Sequence, residues 1–307
     1  MRRGAATCAA VVLALTTLAG RQQTFRTTAD AVLVDITVKA NGQPVTSLDR
    51  TDFVLTDNGV PQEIDGVEVA SLPIDLSMVV DTGNEARFLA LAQTIQHDAG
   101  LVRSLLKPGD RGSLMAVDSQ IRFGAAPGDP SLRGERGTRL IDAVCAALMA
   151  RVDPGRRHLV VAITAGFDTH SLIPASTRAQ ILSKAEAPVY FIGGPPIPLD
   201  KTYVNDPRPN VPAPVGVVKL QGNAVLMADY SGPLRVIAEK TGGRYFELSG
   251  GDAFLAPLRQ AVDDFRSQYV LRYRPKGVST PGWHALVVKM AKTGDFEIRA
   301  RRGYWRD

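Results

Sequence analysis

An aspartate at the end of an apolar run is the first residue in this sequence whose position suits binding chemistry. The stretch Met78 to Phe88 reads MVVDTGNEARF, so a short polar turn with Glu85 follows Asp81 and leads into a helix-like pattern. Turns between a strand and a helix often hold a metal or a phosphate, because helix amides and strand-end side chains converge there. The structural alternative makes Asp81 a helix cap or turn acceptor, and Glu85 a favourable charge in the first helical turn.

A second group of reactive side chains follows a later apolar run. The sequence FDTHS brings Asp168, His170 and Ser171 close together, and a hydrolytic site is one interpretation. Catalytic triads, however, assemble from distant parts of a chain rather than from sequence neighbours. The sequence also lacks a Gly-x-Ser-x-Gly elbow, a phosphate-binding loop and a Gly-x-Gly-x-x-Gly fingerprint. We therefore predict that the protein is not an enzyme.

The four histidines give no metal-binding pattern. His97, His158, His170 and His284 each lack a second histidine or cysteine at metal spacing. His158 begins an apolar run and His284 lies in an alternating one, so both are predicted to be structural. Asp118 is, with Asp168, a further carboxylate near a predicted strand end.

The elements that position these residues alternate between strands and helices. Five apolar runs predict buried strands: IDLSMVVD, GSLMAVD, HLVVAIT, PVYFIG and RYFEL. Amphipathic spacing predicts helices over residues 88–106, Thr138 to Arg151, Pro174 to Ala187, Pro233 to Thr241 and Asp252 to Gln268. This order predicts an α/β fold, a doubly wound and mostly parallel sheet of the Rossmann type, over residues 73–268.

Alternating segments flank that region on both sides. Residues 28–70 and 269–307 read as half-buried strands, for example AVLVDITVKANGQPV and SQYVLRYRP. Neither segment has enough strands to be stable alone, so we predict that they form one small β domain into which the α/β domain is inserted. The proline-rich stretch Gly193 to Gly216 is predicted to be an extended surface loop.

The first twenty residues predict export. Arg2 and Arg3 precede an apolar stretch that ends in Thr17-Leu18-Ala19, the pattern of a cleaved signal peptide. We expect residues 1–20 to be removed and the protein to be secreted or periplasmic, with an N-terminal membrane anchor as the alternative. No other stretch is long and apolar enough for a transmembrane helix, so no integral membrane span is expected after cleavage.

Charge and cysteine content point away from nucleic acid and from disulfides. Cleavage would lower the net charge from +5 to +3, and no nucleic-acid partner is predicted. The basic cluster RARRGYWR at Arg299 to Arg306 suits either contact with an anionic surface or the solvated face of a terminal strand, and we favour the strand. Cys145 would be the one remaining cysteine, predicted to be a small buried hydrophobe.

The chain resembles a known family over nearly everything after the leader. The pieces that carry the resemblance are VLVDITVKANGQPVTSLDRTDFVLTDNGVPQEI, IDLSMVVD, RGTRLIDAVCAAL, HLVVAITAGFD, IAEKTGGRYF and the ending DFRSQYVLRYRPKG through IRARRGYW. The α/β region resembles a von Willebrand factor type A (VWA) domain. The mature chain is similar to acidobacterial-type exported VWA-domain proteins.

The resemblance implies a metal-ion-dependent adhesion site, and this sequence departs from its pattern. The family uses Asp-x-Ser-x-Ser, a threonine and a later aspartate around Mg²⁺, which prefers hard oxygen ligands in octahedral geometry. Asp81 matches the first position and Thr138 the threonine. The two serine positions hold Gly83 and Glu85, and the last aspartate position holds Ala165. We therefore predict a degraded site and no cofactor, with Mg²⁺ on Asp81, Glu85 and Thr138 as the alternative.

The resulting expectation is a non-enzymatic protein-binding or adhesion module. Its partner, an unknown protein, would bind at the rim formed by the strand ends, through Asn84, Arg87, Asp168 and His170. The alternative is a structural or assembly protein that associates through its terminal β domain.

Overall fold

The strands of the protein follow two apolar patterns in its sequence. The computed structural model describes residues 31–83, 103–124, 137–164, 166, 168–194, 197–198, 217–220, 223–228, 231–248 and 254–306. Where apolar residues alternate, as from Val34 to Val38, a strand buries one face more completely than the other. Where they are continuous, as from Leu159 to Ile163, both faces are buried.

The described elements are bounded as follows. The strands are β1 (Val32–Ala40), β2 (Gln43–Pro44), β3 (Phe53–Asp57), β4 (Val60–Gln62), β5 (Ile64–Val69), β6 (Ile74–Asp81), β7 (Arg111–Val117), β8 (Ile121–Phe123), β9 (Arg157–Thr164), β10 (Val189–Gly193), β11 (Ile197–Pro198), β12 (Val217–Leu220), β13 (Asn223–Ala228), β14 (Tyr245–Glu247), β15 (Tyr269–Tyr273), β16 (Gly282–Met290), β17 (Phe296–Ala300) and β18 (Gly303–Arg306). The helices are α1 (Leu140–Leu148), α2 (Ala175–Lys184), α3 (Gly232–Thr241) and α4 (Leu255–Arg266).

One six-stranded sheet positions the candidate site. Its order is β14-β10-β9-β6-β7-β8, in which neighbours pair in parallel except for β8 at the edge. Helices α1 and α3 pack on one face of this sheet, and α4 packs on the other. The carboxyl ends of β6 and β9 therefore lie side by side, with the start of α1 next to them.

Strands from both ends of the chain form two further sheets. One has the order β17-β1-β15-β5, with β2 added to β1, and the other has the order β18-β16-β3-β4. Every pairing in both sheets is antiparallel. Their inner faces share one core, which includes Ile36, Leu55 and Leu271. Residues Ala31–Asp307 form one compact unit, and the predicted domain boundaries within it stay a prediction.

The predicted fold class is wrong. Of the fourteen described strand pairings, ten are antiparallel and four are parallel, so the described chain is mostly β and largely antiparallel rather than a doubly wound, mostly parallel α/β fold. The physical reason is that continuous apolar runs identify buried strands without saying how many alternating strands surround them. Parallel pairing is confined to the six-stranded sheet.

Three short antiparallel strands contribute to this difference. The order β11-β13-β12 forms a separate small sheet in which Ile197 pairs with Ala228 and Val217 pairs with Leu226. The prediction of an extended loop over Gly193 to Gly216 did not include the two-residue strand β11, and β12 and β13 were not predicted. Alternation in VVKL and the asparagine that opens NAVLMA were the available sequence signals.

Helix positions agree with the spacing of apolar residues, with shorter ends. Helix α3 begins and ends within one residue of its predicted bounds, and α1, α2 and α4 lie inside theirs. Most of the predicted helix 88–106, and the predicted leader, lie outside the described residues. Within the described part of the chain, no helix combines the length and the apolar character needed to cross a membrane.

The terminal basic cluster is engaged by partners within the chain. Arg299 forms an ion pair with Asp264, and Arg302 forms one with Glu239. The guanidinium groups of Arg301 and Arg306 donate to the backbone carbonyls of residues 33 and 278. These arginines therefore tie the last strands to the rest of the fold. Cys145 is buried in the core beneath α1, as predicted.

Candidate functional site

Asp81 is a buried carboxylate held by donors of the protein itself. It ends β6, and only 1% of the residue is exposed. Its Oδ1 accepts the amide of Gly83 at 3.0 Å, and its Oδ2 accepts the hydroxyl of Thr164 at 2.7 Å. Burial raises the pKa of Asp81 to about 6, because lost hydration outweighs the hydrogen bonds that favour the charged form.

Gly83 is a close-packing position and offers no side-chain ligand atom. A Cβ atom built on Gly83 would overlap the carbonyl oxygen of Gly137, and it would also lie 3.2 Å from the Cβ of Thr138. A serine at this position would therefore require the backbone of the Gly137 segment to move. The space that a ligand side chain needs is occupied by main chain.

Thr138 lies next to the close contact between Gly83 and Gly137, and its side chain is buried. Only 3% of the residue is exposed, and its hydroxyl has no hydrogen-bond partner among the described residues. The same hydroxyl is near enough to favour the charged form of Asp81, although it does not reach full hydrogen-bond geometry. Thr138 does not cap the following helix, because Arg139 occupies the cap position and α1 has no side-chain cap.

Two loops of the site are fixed to each other by backbone groups. The carbonyl of Thr138 accepts the amides of Thr169 at 3.0 Å and His170 at 2.8 Å. The carboxylate of Asp142 accepts the amides of Leu172 at 2.7 Å and Ile173 at 3.0 Å. The loop after β9 is therefore held against the start of α1 rather than lying free over the sheet.

Asp168 completes this connection. Its Oδ1 accepts the hydroxyl of Ser171 at 2.6 Å and, more weakly, the amide of Ile141 at 3.4 Å. Its Oδ2 lies 3.8 Å from a guanidinium nitrogen of Arg178. Burial is the largest effect on its pKa, which is raised from the ordinary value. The prediction placed Asp168 at the rim, and its carboxylate is occupied by bonds within the rim.

His170 is exposed beside these groups. Its Nδ1 lies 2.8 Å from the hydroxyl oxygen of Thr169. Its ring also lies against Gly137, whose backbone has a positive φ of 96° and where any Cβ would overlap the imidazole. Glycine at 137 therefore meets two requirements, since it adopts the left-handed region without strain and leaves room for the ring.

The residues do not form a hydrolytic constellation. Ser171 donates its hydroxyl to Asp168 and accepts the amide of Asp142 at 3.1 Å, while His170 contacts Thr169. A nucleophile needs a base within hydrogen-bond reach, and the described partners of Ser171 do not include a histidine.

Asp118 serves a local turn. It is fully buried, its Oδ1 accepts the amide of Gln120 at 2.7 Å, and its Oδ2 pairs with Arg122 at 2.8 Å. Other predicted site residues, namely Asn84, Glu85, Arg87 and Ala165, lie outside the described residues.

The described residues do not fit an octahedral Mg²⁺ site. Asp81 is a single carboxylate whose two oxygens already accept protein donors, and Gly83 offers no ligand atom and no space for one. Across the described ranges, no group of three or more His, Cys, Asp or Glu side chains is arranged to hold a metal ion. Mg²⁺ requires several oxygen ligands in a strict geometry, which this set does not supply.

Sequence reasoning missed three residues that build this site. Thr164 donates a hydrogen bond to Asp81, and Asp142 holds the loop after β9. The imidazole of His170 packs against Gly137. Thr164 had a readable signal, because it is the last residue of the apolar run HLVVAIT and so lies at a strand end. Asp142 gave no such signal, because an acid in the first turn of a helix usually serves the helix dipole.

Comparison with known proteins gives distant structural similarity only. No family model and no curated protein matches the chain. Among solved structures, the chain is similar to a von Willebrand factor type A protein from Catenulispora acidiphila, with 12% identity, a TM-score of 0.45, and coverage of 86% of this chain and 76% of that one. It is also similar to an aerotolerance-related membrane protein from Bacteroides fragilis, with 14% identity, a TM-score of 0.37, and coverage of 62% and 98%.

A third similarity is to the conserved hypothetical protein BatB from Bacteroides thetaiotaomicron, with 15% identity, a TM-score of 0.37, and coverage of 64% of this chain and 98% of that one. The structural neighbours thus include a VWA protein. Because each TM-score is below 0.5, these similarities carry no argument about this chain, and its relation to the VWA family stays a resemblance.

Proposed function

We propose that the protein is a non-enzymatic binding module that recognises a protein partner at the rim of its six-stranded sheet, without a resident metal. The rim comprises the turn at residues 81–83, the segment 137–142 and the loop 168–173. Asn84 and Arg87, which follow the first of these in sequence, are proposed to extend it. Ligands of open sheets bind where strand carboxyl ends meet, and this rim lies at the ends of β6 and β9.

The observation that carries the proposal is the preorganisation of the rim. Thr138 and Asp142 fix the loop 168–173 through four backbone amides, and this loop exposes His170 and 69% of Leu172. A surface that is already ordered loses little conformational entropy on binding, which favours affinity. An exposed leucine held on a fixed loop offers apolar surface that a partner would remove from water on binding.

The metal-free part of the proposal rests on Asp81. Its oxygens accept the Gly83 amide and the Thr164 hydroxyl, so the protein satisfies the carboxylate internally. The non-enzymatic part rests on Ser171, whose hydroxyl is directed to Asp168 rather than to a histidine.

Matched surface variants test the rim. Leu172→Ser and His170→Ala change exposed rim side chains, and Leu33→Ser changes a comparably exposed leucine on β1. Wild-type protein would be immobilised and exposed to extracts of the source organism, with bound proteins identified by mass spectrometry. We expect a specific protein to bind wild type and Leu33→Ser equally, and to bind both rim variants at least tenfold more weakly, with or without EDTA. Equal binding by all four proteins contradicts the proposal.

Export is proposed from the leader alone. Residues 1–20 have the signal-peptide pattern described above. Mass spectrometry of the protein recovered from its source would give the first residue of the mature chain. A start near residue 21 supports export, and an intact Met1 with Arg2 and Arg3 contradicts cleavage.

A second candidate is an assembly protein that associates with further copies of itself through its terminal strands. The observation that favours it is the outer face of the sheet β18-β16-β3-β4, where Trp283 pairs directly with Trp305 and both are exposed. Val287 and Val54 are also exposed on these strands. Sedimentation over a range of concentrations tests it, with Val287→Lys compared with Val236→Lys on α3. Concentration-dependent association that only Val287→Lys abolishes favours this candidate, and a monomer at all concentrations excludes it.

A further inference from the structure

A cluster of charged and polar side chains lies where the sheet β17-β1-β15-β5 contacts the six-stranded sheet and α4. Thr37 of β1 pairs with Arg299 of β17, and Lys39 follows on the same face of β1. Lys39 and Arg299 both contact Asp264 of α4. Tyr190 of β10 lies near Thr37 and Arg299. The cluster thus joins strands from both ends of the chain to the middle of the sequence.

Two buried cations share the carboxylate of Asp264. Nζ of Lys39 lies 2.5 Å from Oδ1, and Nη2 of Arg299 lies 2.5 Å from Oδ2. Only 3% of Lys39, 2% of Asp264 and 14% of the Arg299 side chain are exposed. Both oxygens of Asp264 are therefore in use, and these three groups together carry one more positive charge than negative.

The other charged groups around this cluster cancel in pairs. Arg157 lies 3.1 Å from Asp35. Glu297 lies 3.2 Å from Nε of Arg299 and 3.5 Å from Arg244. Arg244 and Glu297 are each more than a third exposed, so water also screens their charges. Among the described residues, one positive charge of the cluster therefore has no counterpart.

Buried donors without acceptors lie in the same place. The hydroxyl of Tyr190 and Nη1 of Arg299 are buried and have no hydrogen-bond partner among the described residues. The central carbon of the Arg299 guanidinium lies 5.9 Å from the centre of the Tyr190 ring. Oγ1 of Thr37, the nearby oxygen, already accepts Nε2 of Gln268 at 3.2 Å. Unpaired buried donors are costly, so a further acceptor is expected here.

Tyr190 does not supply the missing negative charge itself. Burial raises the pKa of Tyr190 to about 12, although Arg299 and Thr37 are near enough to oppose this shift. The hydroxyl therefore keeps its hydrogen at neutral pH and acts as a neutral donor. A water molecule would accept from these donors but would leave the positive charge unbalanced. A bound anion supplies the acceptor and the charge together.

We propose that Tyr190, Arg299 and Lys39 bind one chloride-sized monovalent anion where β10, β17 and α4 meet. The ion must be small, because the side chains that surround it are buried. A halide accepts hydrogen bonds from any direction, which suits donors that come from separate elements. The site is independent of the rim, and its anion would stabilise the contact between the terminal strands and the six-stranded sheet.

Urea unfolding of the wild-type protein at neutral pH tests the site. Sodium chloride would replace sodium gluconate stepwise at constant ionic strength, because gluconate is too large to take the place of a halide. An anion that binds only the folded cluster stabilises it by mass action. Above the Kd, we expect the folding equilibrium constant to rise about tenfold for each tenfold rise in chloride. A constant that does not change with chloride overturns the proposal.

A matched pair of variants assigns the chloride effect to the cluster. Tyr190→Phe removes one donor and keeps the ring and the charge, so we expect it to need about tenfold more chloride for the same gain in the folding constant. Tyr269→Phe is the control, because its hydroxyl donates to the carbonyl of Val45 at 3.0 Å in the core of the terminal sheets. It should keep the wild-type dependence. Equal chloride dependence in all three proteins overturns the proposal.

Bromide locates the ion in the wild-type protein without relying on a variant. Crystals would be grown at a bromide concentration that stabilises the protein in solution, and anomalous scattering would be measured. We expect one peak within hydrogen-bond distance of the Tyr190 hydroxyl and Nη1 of Arg299. A map without bromide at this cluster overturns the proposal.

Discussion

Asp57 and Asp81 are both buried carboxylates, and the protein surrounds them with different partners. Both end a strand, and both are almost completely buried. Asp57 faces an imidazole and two tyrosine hydroxyls, whereas the described partners of Asp81 are one hydroxyl and one amide. Asp57 lies within the terminal sheets, and Asp81 lies at the rim where we propose that a partner binds.

The comparison shows how the side-chain partners of two buried carboxylates can differ. Hydrogen bonds alone do not offset the lost hydration of Asp81, whose pKa is raised to about 6. The imidazole of His284 and the hydroxyls of Tyr273 and Tyr304 contact the two oxygens of Asp57, and these partners come from both terminal sheets. The charged form of Asp81 instead lowers the free energy of unfolding at neutral pH. Binding sites often retain groups that destabilise the fold.

The largest expected effect comes from removing Asp57. Asp57→Ala leaves a buried imidazole and two tyrosine hydroxyls without their acceptor. We expect a loss of about 3–5 kcal/mol in the free energy of unfolding, by analogy with other broken buried pairs. Urea unfolding at pH 6 measures this free energy. A loss below about 1 kcal/mol would mean that the partners of Asp57 do not stabilise the fold more than those of Asp81.

The next effect has the opposite sign. Asp81→Asn removes a carboxylate whose pKa rises from 3.8 to about 6 on folding. The charged form is therefore destabilising above pH 6 and costs nothing below pH 3.8. We expect Asp81→Asn to gain on the order of 2–3 kcal/mol at pH 7.5 and nothing at pH 3.5. Thermal unfolding at both pH values checks this, and a loss of stability at pH 7.5 would show that Asp81 has a favourable partner.

A third change tests whether a serine hydroxyl fits at the rim beside Asp81. Gly83→Ser adds this hydroxyl, but its Cβ overlaps the carbonyl of Gly137. We expect a loss of about 1–3 kcal/mol, similar to that of the control Gly83→Ala, because both add a Cβ to a filled space. Mg²⁺ should not recover the loss. Recovery by Mg²⁺ in the serine variant alone would mean that the rim retains a usable metal geometry.

The smallest change in the free energy of unfolding is expected at Asp168, whose surroundings are intermediate between those of Asp57 and Asp81. Burial raises its pKa, yet Arg178 lies 3.8 Å away and opposes that effect. Asp168→Asn relieves the burial cost and also loses the attraction of Arg178, so we expect a change within about 1 kcal/mol at pH 7.5. A gain as large as that of Asp81→Asn would mean that Arg178 contributes nothing.

The sequence predicted local structure better than arrangement. The runs IDLSMVVD and HLVVAIT correspond to β6 and β9, because continuous apolar residues need two covered faces. The fold class was wrong because pairing direction depends on partners distant in sequence, such as Val34 with Leu271. The small sheet of β11, β12 and β13 was missed for the same reason.

The candidate site likewise was predicted better in its local positions than in its contacts between distant residues. Strand-end position identified Asp81 and Asp168, and the family resemblance identified Thr138, as neighbours of one rim. Neither identified the Thr164 hydroxyl that bonds Asp81. His284 was predicted to be structural from its strand. Nothing in the sequence pairs it with Asp57, which lies in another alternating segment of the chain.

Thermal unfolding of the purified protein in EDTA and in millimolar Mg²⁺ or Mn²⁺ tests the central claim, a rim that works without a metal. A ligand at one hundred times its Kd adds about 2.7 kcal/mol to native stability, which a melting curve resolves. For each protein, wild type or Asp81→Asn, the account predicts that its own melting midpoint is the same in all three solutions. An upward shift with Mg²⁺ or Mn²⁺ that Asp81→Asn abolishes would contradict it and make Asp81 a metal ligand.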